Sequence, residues 1–381
     1  MAIRFGVLST FPPTQCGLAT FSSALATHLV DAGAEVSVVR VVDGPQPPVP
    51  LVSHQLVTGA PDQARAAAAA LDACDVALVQ HEYGIFGGPD GADVLDVLAR
   101  VHVPVITVLH TVLADPTPHQ HEVLARVVAA SSVTVTMTEA GRQRLIEGWG
   151  VDPGSVTVIA HGAHDDRSGE GVVATPTGPG ARPVPTVLTW GLLGEGKGIE
   201  WALEALAGLA DLRPRPMYRI VGETHPKVLE RDGEAYRRRL ERLVDRLDIA
   251  PMVQFDARYL DVPTLQRIVR AADVVLLPYD SPDQVTSGVL TEAVVAGKPV
   301  VSTAFPHAVE LLSGGAGILV PRRDPAAIRD ALRRVLTEPG LAPSMAAASR
   351  ALAPSLLWTA VARQYVVLGA GLVHARALSA A

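Results

Sequence analysis

Two cysteines, Cys16 and Cys74, cannot build a disulfide framework in a chain of 381 residues, and neither belongs to a C-x-x-C pair. Both are expected as small core or near-core residues in a reducing compartment. Positive charge is also scarce. Lys and Arg number 32 against 39 Asp and Glu, a net charge of -7, so no broad basic field exists to hold a nucleic-acid backbone. The basic run Arg237, Arg238, Arg239 inside EAYRRRLERLVDRL alternates with acids at helical spacing and reads as a solvated helix face. Nowhere do about 18 apolar residues run together, so no transmembrane helix is expected. The opening MAIRFGVLST reads as a first strand and not as a signal peptide, and the expected location is cytoplasmic. His119-x-His121 and His161-x-x-His164 lack paired carboxylates or thiols at ligand spacing, so no metal site is expected. The first loop lacks G-x-G-x-x-G, which argues against a nicotinamide site.

What the chain does contain is apolar residues, 48% of the total, in a length that exceeds what one core usually fills. Two domains of roughly 180 residues each are the default. In the first half, strands are expected at residues 3–8, 35–41, 75–79, 105–109, 132–137 and 156–159, with helix-period segments at 19–32, 63–71, 91–100, 120–130 and 140–148. Such alternation implies parallel strands joined by right-handed crossovers, with ligands outside the C-terminal strand ends. Those ends carry the unusual residues. FPPTQCGLATF follows the first strand and feeds a helix at Gly17; QHEYGIFGG follows the third, His110-Thr111 the fourth and His161-Gly162 the sixth. Repetition at strand ends marks His81, Glu82, His110 and His161 as a functional rim. Tyr83 and Phe86, beside Gly87-Gly88, form either an aromatic lip for a carbohydrate or a structural turn.

The Gly, Pro and Thr-rich text at 166–185 reads as a linker between an N-terminal domain, 1–165, and a C-terminal domain, 186–354. Strands in the second block are expected at 186–190, 218–221, 253–255, 274–277, 299–302 and 317–320. A last helix in 355–381, with Trp358, Val361 and Tyr365 at helical spacing, is expected to pack back across the first domain.

The first strand of the second block runs into WGLLGEGKGIE, where Gly191, Gly194, Gly196 and Gly198 permit close backbone approach and Lys197 supplies a cation at the head of a helix. The spacing is not that of a P-loop. GETHP, with Gly222 and His225, follows the next strand. QVTSGVLTEAVVAGKPVVST, residues 284–303, then starts a helix at Ser287-Gly288, where the N–H groups of Ser287, Gly288 and Val289 and the helix dipole would receive a diphosphate. Glu292, one turn in, is placed to accept both hydroxyls of a ribose. Together these point to a sugar nucleotide; taken alone, the stretch would also serve as one more crossover with Glu292 on its wet face.

Over nearly its whole length the chain resembles the retaining glycosyltransferases of the GT-B fold, family four of the sequence-based classification. The matching motifs are the loop at Gly17, His110-Thr111, His161-Gly162, the Gly191 to Lys197 loop, TEAVVAGKPVVST, and Glu310 followed by a Gly-Ile-Leu-Val strand. The resemblance implies an α/β architecture of two Rossmann-like, doubly wound domains facing across a cleft, with the donor mainly on the C-terminal domain, the acceptor mainly on the N-terminal one, and no metal or other cofactor. It implies a hexosyltransferase moving mannose or glucose from GDP-mannose or UDP-glucose to a hydroxyl acceptor with retention. The catalytic set would be His110, Lys197, Gln284 and Glu292. Donor contacts would come from Gly17, Gly191, Gly194, Lys197, Gly222, His225, Ser287, Gly288, Val289 and Glu292; acceptor contacts from His81, Glu82, Tyr83 and His161. Two positions depart from the family: Gln284 stands where a glutamate is usual, and Leu192 where an arginine is common. These departures keep open a catalytically silent sugar-nucleotide-binding subunit; a second alternative is a sugar-nucleotide epimerase or phosphorylase on the same fold.

Overall fold

The computed structural model describes residues 2–60, 62–165, 183–281 and 284–379. The chain divides into two compact units, Met1–Gly162 with Leu357–Ala381, and Ala163–Leu356. Of the stretch read as a linker, residues 166–182 lie outside the described residues.

The first unit is built on seven parallel strands, β1 (Arg4–Ser9), β2 (Glu35–Val42), β3 (Val52–Val57), β4 (Val76–His81), β5 (Val105–Leu109), β6 (Val133–Thr136) and β7 (Val156–Val158), in the order β3-β2-β1-β4-β5-β6-β7. Strands β4, β5 and β6 are buried along their whole length, which explains text dominated by apolar and β-branched residues, Gln80 and His81 at the end of β4 excepted. The sequence pattern had implied six strands. The additional one, β3, reads VSHQLV, half polar, and residues 43–51 connect it to β2 without a helix, so no helical period announces it. The helix expected at 91–100 is confined to Val94–Leu98, preceded by a 3-10 turn, Pro89–Gly91. Gly91 has φ +74, and a methyl group there would lie 2.8 Å from the Tyr83 carbonyl oxygen.

Helix Gly17–Asp31 begins where Cys16 accepts a bond from the Ala19 N–H through its sulfur. Its apolar face, Phe21, Leu25 and Leu29, shares one buried cluster with Phe5 and with Trp358, Val361 and Tyr365 of the last helix, Trp358–Ser379. That helix starts later than residue 355 because a separate helix, Leu341–Leu356, precedes it and belongs to the second unit. Gly162 has no room for a side chain: a methyl would lie 2.2 Å from the Trp358 indole.

The second unit holds six parallel strands, β8 (Thr186–Trp190), β9 (Met217–Val221), β10 (Val253–Asp256), β11 (Val274–Leu277), β12 (Val300–Thr303) and β13 (Gly317–Val320), in the order β10-β9-β8-β11-β12-β13. In each unit the strand order reverses beside the first strand, between β1 and β4 and between β8 and β11. Connections leave that point in opposite directions and open a crevice beyond the strand ends. Helix Ala235–Arg246 differs from expectation in one respect. Arg237 is not on a solvated face but 7% exposed, because it lies three and seven residues before the buried Leu240 and Val244. Among the described residues no helix is long and apolar enough to cross a membrane.

Candidate active site

At the β8/β11 switch point the backbone is packed too closely for side chains. A methyl at Gly222, φ +134, would lie 2.1 Å from the Gly191 carbonyl oxygen, and one at Gly198, φ +64, 1.9 Å from that of Pro278. Beyond β8 and β9 the two loops stay zipped together: the Leu193 N–H donates to Glu223 O at 2.8 Å and the His225 N–H to Leu193 O at 2.8 Å. The open side of Gly191, φ +118, faces helix Gly288–Val295, where a methyl would be 3.7 Å from Val289 Cγ2. Gly191, Gly222, His225, Val289 and their neighbours are thereby brought to one place. Lys197 holds its ammonium 4.5 Å from the centroid of the Tyr279 ring, just after β11. His225 caps helix Pro226–Asp232, its ring accepting from the Lys227 N–H, and burial together with Lys227 and Lys197 lowers its basicity.

Helix Gly288–Val295 is capped by Ser287, whose hydroxyl accepts from the Leu290 N–H at 3.2 Å. The Ser287 N–H, expected to face an anion, instead donates to Nδ1 of the buried His307 at 2.9 Å. Among the described residues the N–H groups of Gly288 and Val289 have no protein partner, so these two are the ones available at the positive helix end. Glu292 is partly buried, and desolvation pushes its carboxyl up to about 7 against the opposing pull of a hydrogen bond from Trp190, the last residue of β8. Gln284 turns back on its own loop, its amide nitrogen donating to Thr286 O. Lys298 is structural: its ammonium caps the end of helix Val262–Ala271, donating to Arg270 O and, at 2.8 Å, to Ala272 O.

In the first unit, Phe21 gathers two of the rim histidines, with ring centroids 4.7 Å from His110 and 5.0 Å from His161, both edge-on. His110 Nε2 lies 2.8 Å from Gln80 Oε1, and His161 Nδ1 lies 2.7 Å from Gly162 O. Burial drives His110 to about 3 and His161 to about 4, so both rings are neutral at physiological pH. A neutral His110 that donates from Nε2 to Gln80 keeps its Nδ1 lone pair free. His81 departs from its expected place facing an acceptor: as the last residue of β4 it is fully buried, and among the described residues neither ring nitrogen has a partner. Glu82 accepts from the Thr111 hydroxyl, and the Tyr83 hydroxyl donates to Gln120 O at 3.4 Å. Phe86 is buried with Val94 and Leu98, which makes it core and not part of a lip. No cluster of three or more His, Cys, Asp or Glu side chains able to hold a metal occurs among the described residues.

Sequence reasoning missed three partners: His307, Trp190 and Gln80. Each acts on a residue far away in the chain, so spacing carries no trace of it; only the placement of Gln80 next to His81 at a strand end was a signal.

Residues 16–167 match the family described as Glycosyltransferase Family 4, and residues 184–338 the family described as Glycosyl transferases group 1. Among curated proteins, a D-inositol 3-phosphate glycosyltransferase of Geodermatophilus obscurus is 31% identical over 240 residues, covering 61% of this chain and 51% of that protein. One of the same name from Streptomyces bingchenggensis is 29% identical over 261 residues, covering 64% and 56%. The chain thus spans about half the length of the curated relatives it matches. Among solved structures, sucrose-phosphate synthase from Thermosynechococcus elongatus superposes with TM-score 0.73 at 18% identity over 100% of both chains. An Anabaena protein solved with UDP and glucose gives TM-score 0.73 at 15% identity, again over 100% of both. These neighbours share the GT-B fold, and with one glycosyltransferase family match on each unit the chain is similar to the group 1 glycosyltransferases of that fold.

Proposed function

We propose that the protein transfers a hexose from a nucleoside-diphosphate sugar to a hydroxyl acceptor with retention of anomeric configuration, the donor being held by the second unit. The observation that carries this reading is the junction of Gly191 with Val289, beside the two unpartnered N–H groups of Gly288 and Val289. Breaking the anomeric C–O bond leaves negative charge on the diphosphate. Those N–H groups and the Lys197 ammonium would stabilise it, and Glu292, held by Trp190, would accept the ribose hydroxyls. On the first unit, neutral His110 is the group assigned to sugar hydroxyls and His161 to the acceptor. The acceptor oxygen bonds to the anomeric carbon on the face from which the diphosphate leaves and gives its proton to the departing phosphate oxygen, so that retention needs neither an enzymic nucleophile nor a separate base.

A structural neighbour solved with UDP-glucose makes that donor the first to test, with GDP-mannose second. The curated relatives' name makes a phosphorylated polyol the first acceptor. Calorimetry with UDP and GDP, followed by transfer assays, tests the reading. Lys197→Ala should lower turnover by about a hundredfold. Absence of binding to any nucleoside diphosphate, or full turnover by Lys197→Ala, would refute it. Leu192 and the inward-turned Gln284 favour a second reading, a donor-binding subunit without activity, which predicts binding but no turnover with any acceptor.

A further inference from the structure

Leu192 leaves the donor loop without the guanidinium that the family commonly places there. Binding of a diphosphate then rests on backbone N–H groups and on Lys197, and such groups are effective only if they are fixed before the ligand arrives. Lys197 lies in the loop of residues 191–198, which meets the loop 222–226 and Val289 through Gly191, and Gly191, Gly196, Gly198 and Gly222 in these loops have positive φ values that glycine alone adopts easily. Something must hold them.

We infer that residues 234–239, the start of helix Ala235–Arg246, are a clasp that fixes both donor loops from outside, with Arg237 as its principal positioning residue. This rests on the donor-site reading above. Arg237 Nη2 donates to Gly222 O at 2.7 Å and its Nε to Glu234 Oε2 at 3.3 Å. The same Glu234 oxygen accepts from the buried Thr224 hydroxyl, so one guanidinium and one carboxylate tie the GETHP loop at both Gly222 and Thr224. The other loop is gripped from the next residues. Tyr236 donates its hydroxyl to Glu200 Oε2 at 2.8 Å, at the head of helix Ile199–Ala207, and Arg239 Nη1 lies 3.0 Å from Glu195 Oε1 inside the Gly loop.

The members differ in weight. The Arg239–Glu195 pair is solvent-exposed, 48% and 66%, and such pairs contribute little. Arg237 is nearly buried, and its loss would leave the Gly222 carbonyl without its side-chain donor and the Glu234 carboxylate with the Thr224 hydroxyl but no cation. Because Gly222 lies directly on Gly191, and Gly191 on Val289, a shift of the Gly222 loop is transmitted to the N–H groups at the helix start.

The test compares wild type, Arg237→Ala and Arg237→Lys by calorimetry with UDP and GDP and by amide hydrogen exchange. Arg237→Ala should raise the Kd for the preferred diphosphate at least about tenfold and speed exchange at Leu193 and His225, with the rest of the unit unchanged. Arg237→Lys keeps the charge but cannot donate from two positions of a planar fork, so it should fall between the two. Should Arg237→Ala fail to fold, the lysine variant supplies the same readouts. Unchanged affinity in a folded variant, or exchange that rises throughout the unit, overturns the clasp while leaving the donor site standing. A wild type that binds neither diphosphate overturns both.

Discussion

Glu292 and the three rim histidines pull the molecule's pH response in opposite directions. The Glu292 carboxyl stands at about 7 in the folded protein against an ordinary 4.5, so above 4.5 the unfolded chain has lost a proton that the native state still holds. Its contribution to stability therefore declines as pH rises from about 4.5 to about 7, and Glu292→Gln should flatten that slope in a series of thermal midpoints. In the proposed donor site the same carboxyl would ionise to accept two ribose hydroxyls. Affinity for a nucleoside diphosphate should accordingly rise as pH is taken through about 7 in the wild type and lose that dependence in Glu292→Gln, as read by calorimetry. His81, His110 and His161 are lowered from 6.5 to between about 3 and 4, so on acidification the unfolded chain takes up protons that the native state refuses, and stability falls below about 6.5. Proton NMR of the imidazoles should show no titration of these three rings near neutral pH. The helix start at Ser287-Gly288, with Glu292 one turn in, was legible in the sequence because a cap and its first turn fix their spacing. The burial of His81 was not, since a strand end looks the same in text whether its side chain is covered or open.

At the scale of elements, the close approach of loops makes sharp demands. Gly222→Ala would combine a positive φ with a 2.1 Å contact and should cost roughly 3 kcal/mol, read by denaturant unfolding, along with diphosphate binding. Trp358→Ala should cost about 3–5 kcal/mol, because the indole fills the space between Phe21, His161 and the backbone at Gly162. Strands with uniform β-branched text, such as β5 and β8, were placed by sequence at their observed bounds, because burial on both faces leaves a pattern that any reader can find. Strand β3 left none, having three consecutive polar residues, Ser53 to Gln55, and being joined to its neighbour by a segment without a helix. The inward Arg237 was hidden for a related reason: three consecutive arginines look alike, and only the positions of Leu240 and Val244 decide which one turns inward.

The molecule as a whole is two Rossmann-like sheets, each with its own buried cluster. The repeated alternation of strand and helix made that much readable without coordinates. A nucleoside diphosphate should therefore slow hydrogen exchange in the second unit while leaving the first unit's core near its unliganded rate. A chain ending at Leu356 should keep diphosphate binding but expose Phe5, Phe21 and Leu25 to proteolysis, as peptide mapping would show. The discontinuity of the first unit has a further consequence for biosynthesis. Its seven strands leave the ribosome before the second unit, yet the apolar groove beside helix Gly17–Asp31 stays open until the whole second unit has been translated and residues 358–379 emerge. During that interval the nascent protein carries a sticky half-core, and the first unit's core closes only when helix Trp358–Ser379 arrives to seal it.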